Sequence, residues 1–232
     1  MTDMEILSQD DFKPSDGPKP KAELKDKAKE VLRGLWASLF YSGRMTGKNL
    51  LICSAGSGEG SSTIAAGLAI AGSQPSGVAR VALLDFNLRQ PSLDKMFGLK
   101  KSPGVGEIIM GQAAPETAAQ RVGGGLDVYT VGNAPAKVLD VLRAEAVSAF
   151  LATLSQGYDY VIIDAAPVNQ FPDAQVLAGV VGNVALVAKT NHTPREAMGL
   201  AIKRVESGGG KVVGLVLNMR TYPIPKFLYR YV

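Results

Sequence analysis

The 232-residue chain has one cysteine, one histidine, one tryptophan and no apolar run approaching the roughly 20 residues that a membrane-spanning helix needs. Each shortage excludes something. The lone Cys53 rules out an intrachain disulfide and fits a reducing, intracellular compartment. Without a spanning segment, any membrane role has to run through a partner or a peripheral contact. The opening residues, Met1 to Asp11, are polar and acidic, unlike a signal peptide. Basic residues are not interleaved with aromatics in the clusters that read nucleic acid, so no nucleic-acid partner is expected. His192, before a helix-start pattern, is expected in a surface loop. There are no internal repeats.

The most informative absence is a lysine. An apolar run, Leu50 to Ile52, leads into Cys53-Ser54-Ala55-Gly56-Ser57-Gly58-Glu59-Gly60-Ser61-Ser62-Thr63, and a helical run, Ile64 to Ala71, follows. This is the strand–loop–helix context of a phosphate loop. In GxxxxGK[ST], backbone N–H groups cradle the phosphates, the lysine reaches the β/γ-phosphates and the hydroxyl holds Mg²⁺. Gly60 and Ser62 stand where the last glycine and the hydroxyl belong, but Ala55 replaces the first glycine and Ser61 the lysine. The cradle is kept and its main positive charge is lost.

Composition and periodicity divide the chain into three parts. Residues 1–22 are rich in Pro, Asp and Lys and read as a disordered leader. Lys13, Lys19, Lys21, Lys25, Lys27 and Lys29 concentrate much of the net charge of +4 near the start, where an anionic membrane surface is the alternative to simple solvation. Residues 23–220 read as one domain. They open with an amphipathic helix carrying Leu24, Ala28, Val31, Leu32, Leu35, Trp36, Leu39 and Phe40 on one stripe, which predicts packing on the domain's own sheet or docking to another subunit.

Continuous apolar runs at Leu50–Cys53, Val81–Leu84, Val161–Ile163, Val184–Ala188 and Val212–Leu217 predict strands buried on both faces. Leu126–Val131, interrupted by Asp127, is a weaker strand. Helices are expected near 61–73, 92–98, 104–111, 137–156, 172–181 and 194–207. The last would start at a capping box, Thr193-Pro194-Arg195-Glu196, and stop at Gly208-Gly209-Gly210. The fold class predicted is α/β: a single P-loop domain with a doubly wound, mostly parallel sheet, helices on both faces and its site at the carboxyl ends of the strands. Residues 221–232 form a short tail bearing Tyr222, Tyr229 and Tyr231.

Two of these strands end in aspartate. Leu84-Asp85-Phe86-Asn87-Leu88-Arg89-Gln90-Pro91 closes one, and Tyr158-Asp159-Tyr160-Val161-Ile162-Ile163-Asp164-Ala165-Ala166-Pro167 contains the other. An acidic residue at a strand tip beside a phosphate loop holds a metal or orients a nucleophile. Asp85 and Asp164 are therefore the candidate catalytic residues and, with Ser62, the candidate metal ligands. Capping or orienting the loop without metal is the alternative.

In order and spacing, these motifs resemble the bacterial tyrosine kinases of capsule and exopolysaccharide synthesis, within the wider MinD/ParA-type P-loop group. The loop resembles that family's PGEGKST, the first aspartate segment its DADLRRP, and the second its YDxVIIDTPP. Gly132-Asn133-Ala134-Pro135 and Gly214-Leu215-Val216-Leu217-Asn218 are also similar, so the resemblance runs from about residue 28 onward. It implies ATP/ADP and Mg²⁺ at Gly58, Glu59, Gly60, Ser61, Ser62 and Thr63, with Asn218 on the adenine base. It also implies homo-oligomers, autophosphorylated tail tyrosines and a membrane-embedded polysaccharide co-polymerase, or transmembrane activator, as partner. The protein would be cytoplasmic, peripheral at the inner face of the membrane through that partner.

The departures follow the same motifs. Ser61 replaces the loop lysine and Asn87 the second aspartate of the DxD pair. The family's ExxRxxR oligomerisation motif becomes Glu30, Arg33 and Trp36, losing its last arginine. A charge-assisted hydrogen bond is worth about 1.5–3 kcal/mol, so one lost contact weakens nucleotide binding by about ten- to a hundredfold. Transfer suffers more, because the lysine also meets charge that develops in the transition state. Arg89 or another lysine would have to replace it.

The leading expectation is a regulatory module of exopolysaccharide or capsule assembly, impaired in phosphoryl transfer, binding nucleotide weakly or conditionally. Trp36, Leu39 and Phe40 are expected on an oligomer or partner surface. The alternatives are an active tyrosine autokinase with a displaced cation, a MinD/ParA-type positioning ATPase and a scaffold without nucleotide. Gly56, where the positioning branch carries its signature lysine, argues against the ATPase.

Overall fold

In a computed structural model that describes residues 26–73, 79–133 and 142–219, helices and strands alternate along the chain. The order is α1 (Asp26–Phe40), β1 (Asn49–Ser54), α2 (Ser61–Ser73), β2 (Val81–Phe86), α3 (Leu93–Phe97), α4 (Val105–Ile109), α5 (Pro115–Ala118), β3 (Gln120–Gly123), β4 (Leu126–Tyr129), α6 (Ala144–Gly157), β5 (Tyr160–Ala165), α7 (Asp173–Val181), β6 (Asn183–Lys189), α8 (Arg195–Ser207) and β7 (Lys211–Asn218). The leader 1–22 and the tail 221–232 lie outside the described residues.

The seven strands make one sheet in the order β3-β4-β2-β5-β1-β6-β7. Every pair is parallel except β3–β4. The continuous apolar runs become strands whose alternate side chains enter two separate cores. Leu51 and Cys53 of β1 pack with Val147, Leu151, Leu177 and Val205 from α6, α7 and α8. Leu50 and Ile52 pack with Leu32, Leu35, Ile64 and Leu68 from α1 and α2 on the opposite face. Burying each such aliphatic side chain stabilises the fold by about 1.5–3 kcal/mol. Both faces are thus filled, as a doubly wound α/β domain requires.

Helix α2 is apolar nearly all round because it lies between the sheet and α1; Ile64 through Ala71 are all buried. Its small residues let α1 approach closely. The Trp36 ring lies against Gly72, where a Cβ would overlap it, and stacks on Phe40 at 4.1 Å and edge-on to Tyr160 at 4.9 Å. Trp36 and Leu39 are therefore inside the domain, whereas Glu30 and Arg33 are exposed on the outer side of α1.

Two local expectations change. The weak strand at Leu126 forms because Asp127, its polar interruption, is paired by Arg121 of the unforeseen edge strand β3 and accepts the Tyr158 hydroxyl at 2.8 Å. The capping box before α8 does not form. Pro194, at φ −62° and ψ 148°, occupies the N-cap position with no side-chain cap, and the Thr193 hydroxyl is engaged elsewhere. Gly208 and Gly209 do end α8, with Gly209 at φ 89°.

Candidate functional site: the loop after β1 and two buried aspartates

β1 ends at Ser54, the chain turns through Ala55 to Gly60, and α2 starts at Ser61. Gly58 and Gly60 have φ of 73° and 86°, a left-handed conformation that glycine adopts without a Cβ penalty. The Ile64 N–H reaches the Gly60 carbonyl at 3.0 Å, closing the first turn of α2. The N–H groups preceding it have no intrahelical acceptor and, with the helix dipole, favour an anion.

Glu59 braces this loop from behind. Its carboxylate accepts the Ala55 N–H at 3.0 Å and the Thr193 hydroxyl at 2.6 Å. Asn218, at the end of β7, donates to the Glu59 carbonyl at 2.9 Å. Both residues are buried and neither lines the adjoining cavity. The loop after β5 is tied in by Val168 N–H to the Ser54 carbonyl at 2.9 Å, and by Ser57 to Gln170 at 2.6 Å.

The cavity in front of the loop has a volume of about 480 Å³, within the range of small-molecule sites. Gly58, Gly60, Ser61, Ser62 and Thr63 form one wall, and Asn87, Gln90, Ser92, Lys95 and Met96 the other. Asn87 contributes no charge, and its amide oxygen accepts the Gln90 N–H at 3.1 Å.

Asp85 and Asp164 stand side by side as register partners on β2 and β5, fully buried and one layer behind the cavity wall. Asp85 accepts N–H groups from Asn87 at 3.1 Å and from Ser92 and Leu93, both at 3.2 Å. Desolvation nevertheless outweighs these bonds and pushes its pKa up to about 7. Desolvation first, then the Asp85 charge, raises Asp164 as well; the nearby Ser62 hydroxyl opposes the rise. Neither oxygen of Asp164 has a partner of good hydrogen-bond geometry among the described residues. Desolvation and the Asp164 charge also push the Cys53 thiol up to about 12, so it is an inert core residue.

Arg89 is not free to serve the loop. Its guanidinium makes a two-pronged pair with the buried Asp173 at 2.9 and 3.1 Å and lies 4.9 Å over the Phe171 ring. This pairing was not legible in sequence, and neither was Lys95 as part of the cavity wall.

The residues present suit a phosphate-bearing ligand with a hard cation: loop N–H groups, the Ser62 hydroxyl and, behind it, two unpartnered carboxylate oxygens. Among the described residues there is no group of three or more His, Cys, Asp or Glu that would hold a metal unaided. Among the same residues no helix is long and apolar enough to cross a membrane. Tyr222, Tyr229 and Tyr231 lie outside the described residues.

No family model matches the chain. The sheet and loop are similar to the kinase domain of the Escherichia coli tyrosine kinase ETK, with a TM-score of 0.80 and 26% identity, covering 86% of this chain and 79% of that one. A plasmid partition protein of Borrelia burgdorferi shares the fold at a TM-score of 0.60 and 19% identity, over 81% of this chain and 86% of its own. In sequence, the tyrosine-protein kinase ptk of Acinetobacter johnsonii is 31% identical over 195 residues, 83% of this chain; the chain spans only 26% of that protein. CapB of Staphylococcus aureus is 28% identical over 206 residues, 86% of each chain. The tyrosine-protein kinase YwqD of Bacillus subtilis is 30% identical over 172 residues, 74% of this chain and 72% of its own. At this identity and coverage of YwqD, the chain belongs to the bacterial tyrosine-protein kinases.

Proposed function

We propose that the chain is a nucleotide-responsive module of capsule or exopolysaccharide assembly that binds ATP or ADP with Mg²⁺ but transfers phosphate poorly. The observation that carries this reading is the chemistry of position 61. Ser61 opens α2 where the family's lysine belongs, and Arg89, the nearby alternative, is locked onto Asp173. Loop N–H groups at Gly58, Gly60 and Ser61 would hold phosphate, and Ser62 with Asp164 and Asp85 behind it would hold the metal. A hard cation held there would supply positive charge against the negative charge of the phosphates. A hydroxyl at position 61 binds phosphate as a neutral donor but adds no charge as the transition state develops.

The module would act with a membrane-embedded polysaccharide co-polymerase, which would bring it to the inner face of the membrane. The exposed Glu30 and Arg33 on α1 are the remnant of a self-association motif and would contact a second copy. Tyr222, Tyr229 and Tyr231 would be the phosphate acceptors of any residual activity.

The test is phosphotyrosine formation by the purified chain with ATP and Mg²⁺, beside Ser61→Lys. Weak labelling of the wild type that rises in Ser61→Lys supports impaired transfer. Strong labelling of the wild type, lost when Tyr222, Tyr229 and Tyr231 are changed to Phe, makes the protein an active autokinase instead.

A further inference from the structure

Among the described residues, Lys95 is the only ionisable side chain that lines the cavity in front of the loop. Its position is imposed from the interior. Asp85 accepts the N–H groups of Ser92 and Leu93 and so fixes the start of α3. Leu93 and Phe97 anchor the same helix in the core at 0% and 1% exposure. Lys95, between these two anchors, is left exposed on the cavity side, facing the wall formed by Ser61 and Ser62. Its ammonium has no ion pair or hydrogen bond within the described chain, in contrast to Arg89.

We infer that Lys95, reaching from α3 across the cavity, is the cation that meets a nucleotide's phosphate tail in place of the missing loop lysine. This rests on reading the cavity as a nucleotide site and names the residue that makes it one. The electrostatic reason is direct. A nucleoside triphosphate brings several negative charges towards two buried carboxyl groups, and the α2 dipole offers only about half a positive charge. A mobile ammonium on the opposite wall adds a full positive charge through charge-assisted hydrogen bonds. A lysine on a flexible four-carbon stem suits this role, since it approaches phosphate as a point charge without a fixed fork geometry. It secures the bound state without occupying position 61, so occupancy and transfer become separable.

The experiment is calorimetric titration of the full chain with ATP, ADP and adenosine in the presence of Mg²⁺. It compares wild type, Lys95→Gln, Lys95→Arg, Ser61→Lys and the double variant Ser61→Lys/Lys95→Gln, with circular dichroism reporting the fold of each. Lys95→Gln is expected to lose about ten- to a hundredfold in ATP affinity. Lys95→Arg should lose much less, and the double variant should recover most of the loss, because one cation replaces the other. Unchanged ATP affinity in folded Lys95→Gln overturns the inference while leaving the nucleotide site standing. Binding only in variants carrying Ser61→Lys shows that Lys95 gives no compensation and also overturns it. Absence of binding in every folded variant overturns the nucleotide reading itself.

Discussion

The Thr193 hydroxyl donates to Glu59 at 2.6 Å, joining the loop before α8 to the underside of the phosphate loop 134 residues earlier in the chain. The same hydroxyl accepts the Lys189 N–H at 2.9 Å. Glu59 therefore clamps its own loop at Ala55 and is itself clamped from the neighbouring β6–α8 connection.

Cutting that clamp is expected to loosen the loop. Thr193→Val leaves a buried carboxylate oxygen and the Lys189 N–H short of a partner, which costs about 1–3 kcal/mol. Glu59→Gln keeps the shape and weakens the charge-assisted bonds. Urea denaturation of both single variants and the double should give a coupling energy of at least about 0.5 kcal/mol. Strict additivity of the two losses would refute the clamp.

The Asp85–Asp164 pair makes stability fall as pH rises. Both carboxyl groups titrate above their ordinary value of 3.8 in the folded protein, Asp85 near 7 and Asp164 well above the normal range. A raised folded pKa means that the folded state holds the proton after the unfolded chain has released it. The contribution is complete below the unfolded pKa and is lost as pH climbs through the folded one. For Asp85 that window runs from about 4 to about 7. Asp164→Asn is expected to match wild type near pH 3, below the unfolded pKa, and to exceed it by about 1–3 kcal/mol at pH 8, without ligand. Thermal unfolding across this range checks it; a wild-type curve as steep in the variant would count against the pair.

Arg89 is expected to matter for stability and not as the phosphate cation. Arg89→Gln strips the buried Asp173 of its two-pronged partner. Because the Arg89 side chain is 32% exposed, the loss should be about 1–3 kcal/mol, below that of a fully buried pair. ATP affinity of the folded variant should stay within a few-fold of wild type. A hundredfold loss of affinity would instead place Arg89 on the phosphate.

The α1–α2 contact offers a clean optical readout, because Trp36 is the only tryptophan. Gly72→Ala puts a methyl group where the Trp36 ring lies, so overpacking should destabilise the fold by about 1–3 kcal/mol. At this chain length each kcal/mol lowers Tm by roughly 2–4 °C. A red-shifted emission spectrum should accompany the drop. An unchanged spectrum and Tm would mean that the ring is not seated on α2.

By itself, the sequence determined the alternation of strands and helices, the parallel sheet and the loop. These depend on local patterns: continuous apolar runs for strands buried on both faces, and glycines where φ must be positive. The vacancy at Ser61 was equally plain, because it is a substitution within a contiguous motif. The amphipathic stripe of α1 was visible too, but not its destination. Only packing shows that Gly72 admits Trp36 to the domain's own core, leaving Glu30 and Arg33 outside. Tertiary structure also decided which polar residues serve the site. Glu59, Asn218 and Thr193 meet behind the loop from three distant segments, and local pattern had given Thr193 to a helix cap. Arg89 is committed to Asp173, which lies 84 residues away. Lys95 faces the cavity because Asp85 and two core side chains orient a five-residue helix. Local patterns encode backbone form, whereas the partner of a charge depends on which distant segments the sheet order brings together.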